Sequence, residues 1–382
     1  MATKSQKRKA VKAAEKVIKK SPKWVIVTAI ILAIILVGGY FLYTKVFKKP
    51  KPLSGELTFH FMMLGNNASG DSIYIKAGDN DILIDAGSKE ESIDDIQTYV
   101  NQYVTDNKFE FVIITHGDTD HIDGFAKTNG SIFDLYECDI IITAPRTSKT
   151  TATYNRYLSE LADEVNNGAK NYTALQCYKE EDGAKKEYAL NEDGSMKMEI
   201  LYNYYYENET QTQGKENNYS VCVQFHHGDR KFLFTGDLEE KGEEYLVEYN
   251  NLSQVDLYKA GHHGSAGSST NELLSVIQPK ICVVSCAIRE NEYGFPKESF
   301  LSRVANYTSN VYVTTMAETE YLTGEDLAKG YGAMNGNIIV SSSASKPQVE
   351  VECSHSNTLL KDTAWCKAER PTVTWTKANI FA

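Results

Sequence analysis

Between Trp24 and Tyr43 the chain runs for 20 residues without a charged side chain, the length a helix needs to cross the hydrocarbon core of a bilayer. Trp24 at one end and Tyr40, Phe41 and Tyr43 at the other suit the interfacial aromatic positions of such a span. Beyond it the apolar runs shorten. Ser72-Ile73-Tyr74-Ile75 and Asp81-Ile82-Leu83-Ile84 alternate as strands around an Asp79-Asn80 turn. Ile93, Ile96, Val100 and Val104 fall at helical spacing, and residues 154–166 and 239–250 are further helices. Phe111 to Ile114 and Lys231 to Phe234 read as buried strands. Residues 167–217 read as an elaborated β-hairpin whose Tyr202, Tyr204, Tyr205 and Tyr206 are edge aromatics or a stacking surface in a cleft. A second insertion, 318–334, interrupts the last strands. The pattern divides the chain into a basic segment (1–23), a transmembrane helix (24–43), a linker (44–56), one α/β domain (57–345) and a C-terminal extension (346–382).

Candidate chemistry sits where apolar runs end. Ile114 leads into Thr115-His116-Gly117-Asp118-Thr119-Asp120-His121-Ile122-Asp123-Gly124, with two histidines and three aspartates. Imidazole and carboxylate suit zinc, manganese or iron, and the lack of cysteine here argues against a structural zinc knot. His116 and Asp118, two apart in an extended stretch, share a side and can hold one ion; Asp120 and His121 follow for a second. The competing explanation is an acidic helix N-cap with incidental histidines. Phe234-Thr235-Gly236-Asp237 offers a carboxylate that bridges two ions, and Leu257-Tyr258-Lys259-Ala260-Gly261-His262-His263-Gly264-Ser265 adds imidazoles. His226 and His227 follow Val223, but His227-Gly228-Asp229-Arg230 reads as a hairpin turn before Lys231.

These motifs, with Gly70-Asp71-Ser72, Leu83-Ile84-Asp85-Ala86-Gly87, Asn218-Tyr219-Ser220 and Asn291-Glu292-Tyr293-Gly294-Phe295-Pro296, resemble the metallo-β-lactamase superfamily. The first signature there is His-x-His-x-Asp-His. The likeness is to the branch that forms the hydrolase domain of the bacterial competence DNA-uptake protein, the ComEC type, which reads His-x-Asp-x-Asp-His. The resemblance covers about residues 57–345 and implies an αββα sandwich with metals at one edge. It implies His116 and Asp118 on a first ion, Asp120, His121 and His263 on a second, and Asp237 between them. His262 is then a proton-donating group or a hydrogen-bonded core residue. Ser220, Ser265, Asn291 and Tyr293 are substrate-positioning candidates, with strand-end and turn bonding as the alternative. Two departures stand out: no histidine lies in Asn217 to Val223, and Phe295 replaces the branch's histidine before proline.

Charge divides sharply. The chain carries −11 overall, but residues 1–52 hold 13 basic and one acidic side chain, leaving −23 on the remainder. Nine of the basic residues precede Trp24 and four follow Tyr43, so the N-terminus is expected in the cytoplasm and the domain outside. An acidic domain opposes loose binding to nucleic acid unless ions and a local basic patch hold the phosphodiester. Seven cysteines form no regular framework; Cys353 and Cys366 are the pair expected to bridge. The expectation is therefore a membrane-anchored, outward-facing hydrolase with two divalent ions, zinc or manganese, acting on a phosphodiester such as DNA. Alternatives are a teichoic-acid or phosphocholine esterase, an ester, lactone or β-lactam hydrolase, and a non-catalytic surface-binding module. The bilayer, through residues 24–43, is the other expected partner.

Overall fold

The computed structural model describes residues 55–64, 70–87, 92–209, 216–287, 294–315 and 334–378. The span 24–43, its basic flanks, Asn291, Tyr293 and residues 318–333 lie outside the described residues. Among the described residues no helix is long and apolar enough to cross a membrane.

Six strands open the domain: β1 (Glu56–Phe61), β2 (Ile73–Ala77), β3 (Asn80–Ile84), β4 (Lys108–Ile114), β5 (Glu137–Thr143) and β6 (Lys170–Thr173). The next seven build a second sheet: β7 (Glu187–Ala189), β8 (Met196–Ile200), β9 (Val223–His227), β10 (Arg230–Phe234), β11 (Leu257–Lys259), β12 (Ile281–Ala287) and β13 (Val311–Thr315). β14 (Ile338–Ser343) and β15 (Glu350–Cys353) return to the first, whose order is β15-β14-β1-β2-β3-β4-β5-β6. The second runs β13-β12-β11-β10-β9-β8-β7. Both sheets follow one scheme: β1 to β3 and β8 to β10 pair antiparallel, whereas β3 to β6 and β10 to β13 pair parallel. Loops leaving the carboxyl ends of parallel strands line a crevice, the common place for a site in α/β sheets.

Burial on both faces explains the unbroken apolar runs. On β4, Phe111 and Ile113 enter the core between the sheets with Phe59, Phe225, Phe232 and Phe234, whereas Val112 and Ile114 face the outer layer. That layer is α1 (Ser92–Val100), α2 (Thr119–Ile122), α3 (Ile132–Leu135) and α4 (Ala152–Asn167). α5 (Ala174–Lys179) places Ala174 and Cys177 in the inter-sheet core. α6 (Glu240–Tyr249), α7 (Asn271–Ile277), α8 (Glu298–Val304) and α9 (Ala364–Glu369) cover the outside of the second sheet. The result is an αββα sandwich. The segment after residue 345 is built into it, β15 pairing with β14 and Trp365 being buried in the outer core.

Two expectations are corrected. Residues 167–217 are not one hairpin: they supply β6 at the edge of the first sheet, α5, and the β7-β8 hairpin at the edge of the second. Their tyrosines pack on the fold, Tyr206 accepting the Cys222 amide at 3.0 Å and Tyr204 stacking on Tyr245 of α6 at 4.2 Å between ring centroids. Cys353 and Cys366 are both free thiols. They lie in different layers, Cys353 against the inter-sheet core and Cys366 in the outer core of the second sheet.

His60 on β1 is buried under Tyr99 and Tyr103, bonded to Thr58 and to the Tyr99 hydroxyl. Burial lowers its pKa to about 4, so between pH 6.5 and 4 the unfolded chain binds the proton that the folded chain refuses. Stability present above pH 6.5 is therefore lost on acidification, by roughly 3 kcal/mol for this group over the whole window. Urea unfolding of the wild type and of His60→Gln at pH 7 and 4.5 should show the smaller loss in the variant; equal losses would remove His60 from the account.

Candidate metal centre

β4 leaves its sheet at Thr115-His116, and Asp118 takes the N-cap position of α2 in extended conformation. Its carboxylate makes no capping bond, so a helix cap does not account for it. It lies instead 3.4 Å from His116 Nε2. As the second and third residues of α2, Asp120 and His121 face Asp237 and His263 of the second sheet. β10 ends at Phe234 and the chain runs on into Gly236-Asp237; Gly236 is needed there, since its φ is +54° and a Cβ would meet Ser220 Oγ at 2.8 Å. Beyond β11 a single turn carries His262 and His263 at φ 44° and 50°, left-handed backbone that non-glycine residues keep where the surroundings enforce it.

The four side chains converge. Ligand atoms of Asp120, His121, Asp237 and His263 all lie within 4.8 Å of one another. His263 Nε2 is 3.1 Å from Asp120 Oδ2 and 3.4 Å from Asp237 Oδ2, and His121 Nε2 is 3.3 Å from Asp237 Oδ2. Each imidazole is turned inward by a bond behind it. Asp85, just past β3, lies 2.7 Å from His121 Nδ1 and also accepts the amide and hydroxyl of Thr115. His263 Nδ1 donates to the Ser285 carbonyl at 2.8 Å. Such outer partners fix the ring and leave Nε2 for the ion.

The electrostatics call for a cation. Burial opposes a charge on His263, yet Asp237, Asp71 and Asp120 push it up to about 10. His121, equally buried, is raised well above its ordinary value by Asp237, Asp85 and Asp120. Burial would raise the carboxyls of Asp120 and Asp237, but the imidazoles hold both well below the usual range. His121 Nε2 and Asp237 Oδ1 are buried without a hydrogen-bond partner. A divalent ion with N and O ligands fits this set, relieving the orphaned atoms and the carboxylate charge together.

His262 takes another place. Its Nδ1 lies 3.2 Å from Glu239 Oε1, its Nε2 3.8 Å from Asp237 Oδ2, and its side chain is 23% exposed. The ring of Phe295 packs 5.5 Å from His262 and 6.1 Å from His263. Ser220 is fully buried, and its hydroxyl accepts the Asp237 amide at 3.0 Å. Ser265 accepts the Gly267 amide at 3.1 Å, a turn bond. His226 and His227 sit at the far end of β9, bonded to Glu199 and Ser342.

Several contributors went unassigned from sequence. Lys259 is 1% exposed and pairs with Asp71 at 2.6 Å beneath His263; a lysine inside an apolar strand was the available signal. Asp85 ends an apolar run as Asp237 does, the same signal again. Glu239 and Glu216 are single acids with no local pattern.

The sequence profile of the Metallo-beta-lactamase superfamily matches residues 65–127 and 209–287. ComE operon protein 3 of Bacillus subtilis is 25% identical over 207 residues, 54% of this chain and 24% of that protein. Recombination protein 2 of Haemophilus influenzae is 32% identical over 102 residues, 27% of this chain and 13% of that protein. The chain thus spans a quarter or less of the length of these relatives. Among solved structures, the metallo-β-lactamase fold protein YhfI of Bacillus subtilis aligns with a TM-score of 0.41 at 11% identity, over 68% of this chain and 95% of that one.

Proposed function

Because the chain belongs to the metallo-β-lactamase superfamily, with relatives of the ComEC type, we propose that it is a metal-dependent hydrolase of phosphodiesters, held at the membrane by residues 24–43 with its domain outside. The observation that carries this reading is the convergence of Asp120, His121, Asp237 and His263 on one point. These four residues would hold a divalent ion, which would supply an activated water and polarisation of the bond under attack. Zinc and manganese both suit the ligands.

The chain's own residues do the rest. Asp85 and the Ser285 carbonyl hold the two imidazoles in ligating orientation, and Ser220 fixes the Asp237 backbone. His262, steadied through Nδ1 by Glu239, presents Nε2 to the cleft, where it hands a proton to the departing oxygen. His262→Asn, chosen because asparagine tolerates a positive φ, should lower kcat by about 10² to 10⁴ at unchanged metal content. An unaltered kcat would remove His262 from proton transfer.

The relative named for recombination favours DNA among phosphodiesters, and the acidic domain requires that local cations receive it. The test is turnover of bis-p-nitrophenyl phosphate and single-stranded DNA with manganese, beside nitrocefin and a lactone. Hydrolysis of the first pair is expected. Hydrolysis of the second pair alone overturns the phosphodiester reading, and a full chain that binds no ion points to a surface-binding module.

A further inference from the structure

Beside His121, whose ring lies 4.2 Å from that of His116, the furnishing changes. His116 Nε2 is buried without a hydrogen-bond partner and faces Asp118 Oδ2 at 3.4 Å, while the other oxygen of Asp118 is ion-paired with Lys149 Nζ. Among the described residues no third carboxylate, histidine or cysteine completes a ligand cluster around this pair. The segment that could bring one, Asn217 to Cys222, carries Ser220, whose hydroxyl bonds the Asp237 amide.

The position of Lys149 is built. It lies on the loop between β5 and α4, and the neighbouring residues of that loop are tied to Glu216, which is 3% exposed. Glu216 accepts from the Thr147 hydroxyl at 2.9 Å, from the Ser148 hydroxyl at 2.9 Å and from the Ser148 amide. The same carboxylate accepts the amide of Gly117 at 2.8 Å, the residue between His116 and Asp118. One buried acid therefore clamps the lysine loop to the end of β4. Gly117 is part of the clamp, since a Cβ there would come within 2.7 Å of both Glu216 Oε1 and Tyr154.

We propose that this centre takes one divalent ion, at Asp120, His121, Asp237 and His263, and that the ammonium of Lys149 replaces a second ion at His116 and Asp118, where it receives an anionic oxygen of the substrate. An ammonium is a compact charge with three donors; Asp118 takes one, and the side chain, 28% exposed, reaches the solvent from which a substrate arrives. A divalent ion at His116 and Asp118 would meet that charge at close range.

The inference rests on the metal-hydrolase reading, and metal counting separates the two. The full chain in detergent, dialysed against excess manganese, should hold one ion by elemental analysis. Lys149→Met should raise the count to two, Lys149→Arg should keep it at one, and His116→Ala added to Lys149→Met should return it to one. Two ions in the wild type, or a count that stays at one in Lys149→Met, overturns the role of Lys149. A wild type with no ion overturns the hydrolase reading itself.

Discussion

Asp120→Ala should abolish turnover while leaving the fold in place. The carboxylate reaches the centre from α2, 3.1 Å from His263 Nε2 and 3.9 Å from His121 Nε2, and its side chain is 34% exposed. It packs in no core cluster, so its removal leaves no cavity of consequence, and it relieves one of several crowded acids. What it takes away is a negatively charged ligand, leaving His121, Asp237 and His263. An ion then sits less firmly and its charge is less well balanced, and kcat/KM is expected to fall by on the order of 10³ or more, about 4 kcal/mol of transition-state stabilisation. Circular dichroism should match the wild type, and dialysis should show weaker ion binding. Undiminished turnover would exclude Asp120 from the mechanism. The contrast with Asp85 is instructive: it is fully buried and holds both Thr115 and His121, so its loss should damage folding and activity together.

Sequence exposed the ligands but not the supports, for a physical reason. His116 to His121 lie within six residues, and Asp237 and His263 each follow an apolar strand. Strand ends therefore announce themselves by an abrupt change from burial on both faces to polar loop. Glu216 and Lys149 have no such signature, being single charges in polar loops that become partners only when residues 117 and 148 are brought to one carboxylate. The two-ion expectation treated His116 and Asp118 as a free ligand pair because Lys149 is 31 positions away from Asp118 in the chain. The helix from Ile93 was legible through its spacing, and Ile93, Ile96, Val100 and Val104 are all buried. The shared pairing scheme of the two sheets was not, because β7 and β11 have only three residues each and the topology repeats without any repetition of sequence. Cys353 and Cys366 misled for a related reason: nearness along a tail says nothing about which side of a sheet each residue joins.

Breaking the buried pair under the centre should have the largest effect on stability. Lys259 and Asp71 are 1% and 2% exposed, with Nζ 2.6 Å from Oδ2, and Lys259 also donates to the Ala260 carbonyl at 2.8 Å. Burial disfavours the ammonium, but Asp71 and Asp237 outweigh it and raise the Lys259 pKa. Lys259→Met strands Asp71 as an uncompensated charge, and Asp71→Asn leaves the ammonium with weaker partners; a buried pair broken in this way costs roughly 3 to 5 kcal/mol. Replacing both residues removes both charges, so the double variant should be more stable than the sum of the single losses predicts, with a coupling of about 1 to 3 kcal/mol in a double-mutant cycle of urea unfolding. The two single variants should not be equal. Asp71 Oδ1 lies 3.5 Å from His263 Nδ1, so Asp71→Asn also loosens a ligand and should lower ion affinity more than Lys259→Met does. Strictly additive stabilities would mean that the two charges do not sense each other, and the close pair beneath His263 would then have no part in holding it.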